Sequence, residues 1–297
     1  MQLLIYILVY PFLWLISKLP FPVFYKVSDA ICFLVYRVFG YRRKVVQKNL
    51  RLSFPDKSES EILGIEKRFY SHLIDLFLEM IKSLDMSEKE IKKRMKFTNI
   101  ELLKKYEKEG RSVMMVAGHY ASYEWVVCLG HYIDSEGVVV YAPLSNKYFD
   151  RLVQRIRLKH NITLVSRYKT LAVMKEHLTN KVNAMYGFAN DQSPQPHKAH
   201  YWRNFMGVKV PVFTMAEKLS KEMDLVVMFL DIQKVKRGYY ETTFRLITDT
   251  PNALPNYQIT DEFTEILEDQ IRNKPEYYLW THNRFKHKDK VPAEFQD

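Results

Sequence analysis

A histidine and a glutamate stand five positions apart in the segment AGHYASYEW, residues 117–125. A carboxylate beside an imidazole can fix its tautomer and stabilise its protonated form. An imidazole with an ordinary pKa near ~6.5 can then accept a proton from an attacking hydroxyl at neutral pH. His119 and Glu124 are therefore either a general base with its orienting carboxylate or two polar residues on an ordinary loop.

A short apolar run, residues 112–117, precedes this pair and is typical of a buried strand. His119 would then lie at the carboxyl end of a strand, where open α/β sheets place their sites. Five positions in a regular helix separate two side chains by about 140°. A direct contact therefore requires His119 on the turn and Glu124 early in the next helix, which we expect to begin near Ser122.

Other catalytic motifs are absent from the sequence. It contains no serine nucleophile elbow, HExxH motif, cysteine-pair zinc site, P-loop or GxGxxG. His197 and His200 lie three positions apart, but without further ligands at metal spacing we expect no metal site. A direct transfer, in which His119 activates an acceptor alcohol, is favoured over a serine acyl-enzyme.

Short β-rich runs alternate with helical patterns through the body of the chain. This alternation predicts an α/β fold with a mixed, largely parallel sheet flanked by helices. Apolar residues at three- and four-residue spacings predict a helix over 60–83, with a capping box from Ser58 to Glu61. The predicted strands are 112–117, 137–143, 162–166, 183–190, 225–231 and 239–248, and the other predicted helices are 99–111, 122–133, 148–160, 170–179, 214–223 and 259–273.

The N-terminal stretch MQLLIYILVYPFLWLIS has no charged side chain before Lys18. It is shorter than the ~20 apolar residues of a full span, and it lacks the features of a cleavable signal peptide. The cations that follow favour a cytoplasmic side for the rest of the chain. We expect a membrane-anchoring helix and interfacial helices over 1–40 and one catalytic domain over 41–297. A helix over 27–39 is interfacial or packed on the core, and an N-terminal helix packed into the protein's own core is the alternative to an anchor.

The net charge of +11 favours anionic partners such as nucleic acid, anionic lipid, phosphorylated substrates or an acidic carrier protein. Basic residues cluster at 41–51, 92–96 and 283–290, where a solvated basic face is the simpler interpretation. No nucleic-acid-binding module is recognisable, so we expect no nucleic-acid partner. From the two cysteines, Cys32 and Cys128, we expect no disulfide framework, which fits a reducing compartment.

GHYASYEW resembles the H-x4-D/E motif of the glycerolipid acyltransferase superfamily. It is most similar to the late acyltransferases of lipid A biosynthesis and the bacterial lysophospholipid acyltransferases. Four more segments resemble family motifs in the family's order, so the resemblance runs from the N-terminal region to Lys286. They are 49–58, 141–157 with Asn146, Asp150 and Arg157, 189–194 with Asp191 and Gln192, and the signature at 274–286.

The resemblance implies a glycerolipid-acyltransferase-like fold with His119 as general base and Glu124 as its orienting carboxylate. It implies transfer of a fatty acyl group from a thioester to a hydroxyl of a lipid A precursor or related bacterial lipid. The donor substrate would be acyl carrier protein or, less often, a coenzyme A thioester, and no cofactor is needed. The implied location is the bacterial inner membrane, with the catalytic domain on the cytoplasmic side.

Further binding residues follow from the resemblance, with Asn146 and Asp150 among them. Arg157 would anchor an anionic substrate through its bidentate fork; an ordinary surface arginine is the alternative. Asp191 and Gln192 would position the acceptor or shape the pocket, unless the aspartate only forms a turn. A lipid headgroup or phosphate at the membrane surface would contact Trp280, Arg284 and Lys286, unless Trp280 belongs to the core.

Two departures from the family pattern concern the substrate. Ala142 stands where the family usually has arginine, and the segment after 225–231 lacks the usual basic residue at the strand's end. An enzyme of the same chemistry that acylates a lysophospholipid, an aminolipid or a pigment lipid is therefore the nearest alternative. A catalytically silent, membrane-bound lipid-binding protein is the alternative from another class.

Overall fold

The computed structural model describes residues 1–296, which form ten α-helices and nine strands. The helices are α1 Gln2–Lys18, α2 Phe21–Phe33, α3 Arg43–Ser53, α4 Glu59–Lys82, α5 Glu88–Arg94, α6 Ile100–Lys108, α7 Lys147–Leu158, α8 Thr170–Asn180, α9 Met215–Glu222 and α10 Gln258–Asn273. The strands are β1 Met95–Phe97, β2 Val113–Ala117, β3 Glu136–Tyr141, β4 Ile162–Ser166, β5 Ala184–Ala189, β6 Trp202–Phe205, β7 Val208–Pro211, β8 Val226–Lys236 and β9 Tyr239–Thr248.

Seven strands form one sheet in the order β1-β9-β8-β2-β5-β3-β4. The pairs of this sheet are parallel except for the antiparallel β8–β9 hairpin. β6 and β7 form a separate antiparallel ribbon. The predicted α/β fold with a largely parallel sheet flanked by helices is confirmed.

The central strand β2 has all five residues buried, as expected for a parallel strand covered on both faces. It pairs with β5 so that Ala117 lies opposite Ala189, the last residues of the two strands. The Asn190 N–H then donates to the Ala117 carbonyl at 3.1 Å. The chain segments that follow β2 and β5 consequently leave the sheet side by side, at its carboxyl edge.

Helix α4 begins at the capping box that the sequence predicts. The Glu61 N–H donates to the Ser58 hydroxyl, and the Glu61 carboxylate accepts from the Ser58 N–H at 2.8 Å. Its apolar residues Ile62, Ile65, Phe69 and Leu73 are buried in the main core. The long helix therefore provides the surface on which α1, α2 and α3 pack.

Helix α1 packs on the catalytic part of the chain along one narrow stripe. Tyr6, Tyr10 and Leu13 contact the cluster formed by Ile81, Leu152 and Ile156. Most of the remaining large apolar side chains are exposed, so α1 is not buried in the core. These exposed residues are Met1, Leu3, Leu4, Ile5, Ile7, Leu8, Val9, Phe12, Trp14 and Leu15.

Both ends of α1 are tied to that same part of the chain. The Gln2 side chain donates to the Ser145 carbonyl at 3.0 Å, just before α7. At the other end Lys18 pairs with Asp85, and the Lys82 ammonium donates to the Ser17 carbonyl at 2.6 Å. The position of α1 is thus fixed relative to α4 and α7.

Within residues 1–296, no helix combines the length and the apolar character that a membrane crossing requires. The membrane-anchoring helix expected over the first residues stays a prediction.

Two sequence-based helices differ from the structure. The helix expected over 122–133 is a 3-10 helix from Trp125 to His131, and Ala121, four residues before it, adopts a left-handed conformation. The helix expected over 27–39 is the end of α2 followed by one π-helical turn, Leu34–Val38. Helices α3 and α5, the short strand β1 and the β6–β7 ribbon were not predicted.

Candidate active site

His119 lies two residues beyond the last residue of β2, at the carboxyl edge of the sheet. The preceding Gly118 is required by close packing, since a Cβ there would lie 2.5 Å from a methyl carbon of Leu267 on α10. The His119 ring packs edge-on against Tyr123 with their centroids 4.9 Å apart. The expected position of His119 at a strand's carboxyl end is confirmed.

The carboxylate that contacts His119 is Asp191, not Glu124. His119 Nδ1 lies 2.6 Å from Asp191 Oδ1. Asp191 follows β5 by the same two residues as His119 follows β2, and the parallel register places the two side by side. The expected direct contact from Glu124 is replaced by this pair, because adjacent strands deliver Asp191 to the imidazole.

Glu124 is bound instead by Arg157. The Arg157 Nε donates to Glu124 Oε2 at 3.0 Å, and Nη2 donates to Oε1 at 2.7 Å. This bidentate pair is largely buried, with 9% of the Glu124 and 18% of the Arg157 side chain exposed. The edge of the fork that was expected to hold an anionic substrate is therefore occupied, and the two N–H groups of Nη1 and the second of Nη2 are left for another group.

The His119–Asp191 pair shifts the pKa of both members. Burial by itself lowers the His119 pKa, but attraction and a hydrogen bond from Asp191, assisted by the charge of Glu124, raise it above its usual value. Burial acts to raise the Asp191 pKa, but His119 and backbone N–H donors lower it to about 2. Asp191 is consequently a carboxylate at neutral pH and accepts the Nδ1 proton of neutral His119.

The opposite nitrogen of the ring is the one available for chemistry. His119 Nε2 lies 3.5 Å from the amide nitrogen of Gln192, at the limit of a hydrogen bond. The side chain is 18% exposed, whereas that of Asp191 is 2% exposed. With its proton on Nδ1, His119 has a lone pair on Nε2, the ring atom whose contact with the protein, at 3.5 Å to Gln192, is weak.

The backbone of the His119 loop is held by the C-terminal signature segment. The Leu279 N–H donates to the His119 carbonyl, and the Ala121 N–H donates to the Tyr277 carbonyl, each at 3.0 Å. The Tyr120 hydroxyl donates to the carbonyls of Gln270 and Lys274. The left-handed Ala121, with φ 47°, is fully buried within this arrangement.

Asn146 and Asp150, two other predicted binding residues, make local hydrogen bonds at the start of α7. Asn146 caps α7, accepting the Tyr148 N–H at 3.0 Å, and Asp150 accepts the Leu144 N–H at 2.8 Å. Both therefore order the start of the helix that carries Arg157.

The C-terminal trio differs from the expected surface group. Trp280 is fully buried and its indole N–H donates to the Pro275 carbonyl, so it is a core residue and not an interfacial aromatic. Arg284 is 2% exposed and donates to the Ser193 hydroxyl at 2.8 Å. A lipid headgroup cannot reach either side chain, whereas Lys286 is exposed.

A small cavity behind Asp191 has room for about one water molecule, with a volume of ≈ 10 Å³. Phe205, Phe263 and Arg284 line it together with Asp191. An acyl chain cannot enter so small a space. Substrates must therefore approach His119 from its exposed side.

Sequence reasoning missed Tyr123, Ser193 and His282 as parts of this site. Ser193 directly follows the Asp-Gln motif, and its N–H donates to His282 Nε2 at 3.4 Å. His282 stands inside the quoted C-terminal signature, so the signal for it was present. No group of three or more His, Cys, Asp or Glu in the described part of the chain is arranged to hold a metal ion.

Comparison with known proteins identifies the family of this chain. The profile of one family, described as bacterial lipid A biosynthesis acyltransferase, matches residues 1–287. The lipid A biosynthesis lauroyltransferase of Escherichia coli (strain K12) is 24% identical over 290 residues, covering 95% of this chain and 92% of that protein. The palmitoleoyltransferase of the same organism is 24% identical over 279 residues, covering 92% and 88%. A lipid A biosynthesis acyltransferase of Haemophilus influenzae (strain Rd) is 24% identical over 292 residues, covering 93% and 88%.

Proposed function

This chain is an acyltransferase of the bacterial lipid A biosynthesis acyltransferase family, and on that premise we propose a specific reaction for it. It transfers a fatty acyl group from a thioester to a hydroxyl of a lipid A precursor or a related bacterial lipid. The relatives include a lauroyltransferase and a palmitoleoyltransferase at the same 24% identity. Because the chain is equally identical to both relatives, the comparison supports acyl transfer but does not favour one length of the acyl chain.

The observation that carries the proposal is the pairing of His119 Nδ1 with Asp191 at 2.6 Å, which leaves Nε2 with a weak contact, at 3.5 Å, to Gln192. The acceptor hydroxyl gives its proton to Nε2 while its oxygen attacks the thioester carbonyl carbon. The tetrahedral intermediate then collapses with cleavage of the C–S bond. His119 returns the proton to the leaving thiolate, so the products are the ester and the free thiol.

Asp191 and Glu124 have separate roles in this scheme. Asp191 accepts the hydrogen bond from Nδ1–H and stabilises the imidazolium that forms when Nε2 is protonated. Glu124 adds a second negative charge near the ring, as its effect on the His119 pKa indicates. It also binds Arg157 through Nε and Nη2. The third guanidinium nitrogen, Nη1, makes no hydrogen bond to Glu124.

The donor is an acyl carrier protein or, as the alternative, coenzyme A. An acidic carrier suits a chain with a net charge of +11, because opposite charge speeds and orients association. The reaction needs no cofactor beyond this thioester substrate.

The enzyme acts at the inner membrane, with its catalytic domain on the cytoplasmic side. Support comes from the outer face of α1, which exposes Leu4, Leu8 and Phe12 among other apolar side chains. The neighbouring helix α7 exposes Arg151 and Arg155 on its outer side. An apolar face with adjacent cations suits a helix lying in an anionic membrane surface, where each cation contributes about 1 kcal/mol.

The test is transfer of labelled acyl groups from acyl carrier protein into a mixed bacterial lipid extract, followed by mass spectrometry. We expect wild type to label a lipid, whose identity names the acceptor, and His119→Ala to label none. The control is His197→Ala, because His197 is exposed and lies outside the site. Labelling by His119→Ala at the wild-type rate contradicts the base assignment. If wild type is inert towards lipid A precursors and lysophospholipids alike, a silent lipid-binding protein becomes the better interpretation.

A further inference from the structure

The backbone around His282 is fixed beside the catalytic loop. The side-chain amide of Asn49 on α3 donates to the carbonyls of Trp280 at 2.9 Å and His282 at 2.7 Å. The adjoining Leu279 N–H donates to the His119 carbonyl. The backbone segments that carry His119 and His282 are thus hydrogen-bonded to each other.

The hydrogen bond made by the His282 side chain determines its tautomer. Nε2 accepts the Ser193 N–H at 3.4 Å, so the proton of the neutral ring is on Nδ1. No group among residues 1–296 is hydrogen-bonded to Nδ1, and the side chain is half-buried. His282 therefore has one N–H donor that the protein itself leaves unused.

His282 is also uncharged at the neutral pH at which His119 acts as the proposed base. Burial, followed by the nearby cations Arg284 and Lys286, outweighs the attraction of Asp191 and lowers the His282 pKa to about 4. At neutral pH the ring is consequently neutral. It can donate a hydrogen bond without adding a positive charge beside the His119 imidazolium.

Acyl transfer needs such a donor. When the acceptor oxygen attacks, the electron pair of the carbonyl π bond moves to the carbonyl oxygen, and fixed donors aimed at that oxygen stabilise its charge. Both arginines near His119 already have protein partners. Two nitrogens of Arg157 are bound to Glu124, and Arg284 is buried behind Ser193.

The loop 191–193 connects the two histidines, because Asp191 binds His119 and Ser193 binds His282. We propose that His282 is a catalytic residue whose Nδ1–H donates to the carbonyl oxygen of the acyl thioester. The donor keeps its proton throughout, and the carbonyl re-forms when the C–S bond breaks. This inference rests on the proposed acyl transfer and adds to it the group that stabilises the oxyanion.

The test compares His282→Leu with His282→Asn in acyl transfer from labelled acyl carrier protein to the acceptor identified for wild type. Loss of one oxyanion donor typically lowers kcat by about 10²–10³-fold, and we expect this for His282→Leu with a much smaller change in KM. Asparagine has an oxygen to accept the Ser193 N–H and an N–H2 to donate, so His282→Asn should recover part of the loss. The pH dependence set by His119 should stay where it is in wild type.

Other results overturn the inference. Wild-type kcat in His282→Leu shows that no donor was lost. A raised KM with unchanged kcat, or a shifted His119 titration, shows that His282 only positions the loop 191–193. Equal impairment of both variants together with a lowered Tm shows a structural role. An inactive wild type refutes the proposed function itself, and this inference with it.

Discussion

Two of the groups of buried ionisable side chains in this molecule differ in an instructive way, one around His119 and one around Glu79. The second, which we call the Glu79 cluster, lies where α2, α4 and the β8–β9 hairpin meet and consists of Tyr25, Asp75, Glu79, Lys234, Arg237 and Tyr240. The hydroxyls of Tyr25 and Tyr240 each donate to one Glu79 oxygen at 2.8 Å. Arg237 donates to Asp75 at 2.7 Å and 2.9 Å.

Shifted pKa values occur in both groups. Burial raises the pKa of Glu79 to about 7, even though Lys234 opposes the shift, and attraction from Asp191 raises the pKa of His119 against the effect of burial. The groups differ in which atoms remain open. Both Glu79 oxygens are hydrogen-bonded and the residue is fully buried, whereas His119 Nε2 and His282 Nδ1 lack a strong protein partner.

A perturbed pKa alone therefore does not identify the site of chemistry, because structural networks perturb pKa values as well. The Glu79 cluster joins α2 to the catalytic domain with all its strong contacts made inside the protein. The His119 group has one side paired and one side available to a substrate. Changes in the first should alter stability, and changes in the second should alter turnover.

The largest expected effect comes from Asp191→Asn. An amide cannot stabilise the imidazolium as a carboxylate does, and the corresponding change in a serine protease triad costs about 10⁴-fold in kcat. We expect a fall of about 10³–10⁴-fold in acyl transfer. In wild type kcat/KM should rise with pH through a His119 pKa above 6.5, because the neutral base is the active form. In the variant this rise should occur at lower pH, because burial then lowers the His119 pKa unopposed by Asp191.

Two further variants calibrate the Asp191 result. Asp75→Asn changes a buried aspartate of the Glu79 cluster, so it should lower stability and leave kcat close to that of wild type.

Glu124→Gln tests the assignment made from sequence. If it abolishes transfer while Asp191→Asn retains wild-type kcat, Glu124 is the orienting carboxylate and the contact with Asp191 is structural.

The sequence predicts the order of strands and helices well, because buried parallel strands such as β2 and amphipathic helices such as α4 have clear periodicities. It also places His119 at the end of a strand. It does not reveal that β5 lies beside β2, because strand neighbours are set by tertiary packing and not by local pattern. The Asp191–His119 contact depends on that neighbour relation, so the nearby Glu124 was the only carboxylate that spacing could offer.

The same limit explains Trp280 and Arg284. Their motif is readable in the sequence, but whether an aromatic and a cation face lipid or core depends on what covers them. Asn49 on α3 covers the backbone at Trp280, and α3 itself was not predicted. The motif was recognised correctly as part of the family pattern, but its side chains were assigned to a headgroup at the membrane surface, with a core position left open for Trp280 alone.

A smaller effect, on stability alone, is expected for Glu79→Gln. Replacing one hydrogen-bonding partner of a buried group costs about 1–3 kcal/mol, and the activity of the folded enzyme should be unchanged. The folded Glu79 pKa of about 7 lies above the ordinary 4.5, so the folded state favours the protonated carboxyl. The wild-type contribution is fully present below pH 4.5 and is lost as pH rises through about 7.

The pH dependence of that stability difference is the decisive measurement. Urea unfolding of wild type and Glu79→Gln at pH 5 and pH 8 should show a smaller difference at pH 8, because glutamine does not titrate. A difference that grows with pH means that Glu79 is ionised in the folded protein and that the Glu79 cluster is a network of charges.

The smallest effect is expected at the strained turn of the site, in Ala121→Gly. An L-residue in the left-handed region costs about 1 kcal/mol or more, and glycine relieves this but loses a buried methyl worth about 0.8 kcal/mol. The free energy of unfolding should therefore change by less than about 1 kcal/mol.

The control is Lys181→Gly. Lys181 is an exposed left-handed residue with φ 55° at the end of α8, so this change should stabilise the protein slightly because no buried methyl is lost. We expect kcat to fall a few-fold in Ala121→Gly only, since the added freedom lies between His119 and Glu124. Unchanged kcat would mean that the hydrogen bonds from 277–279 hold this loop by themselves, and that the strain at Ala121 is incidental to the site.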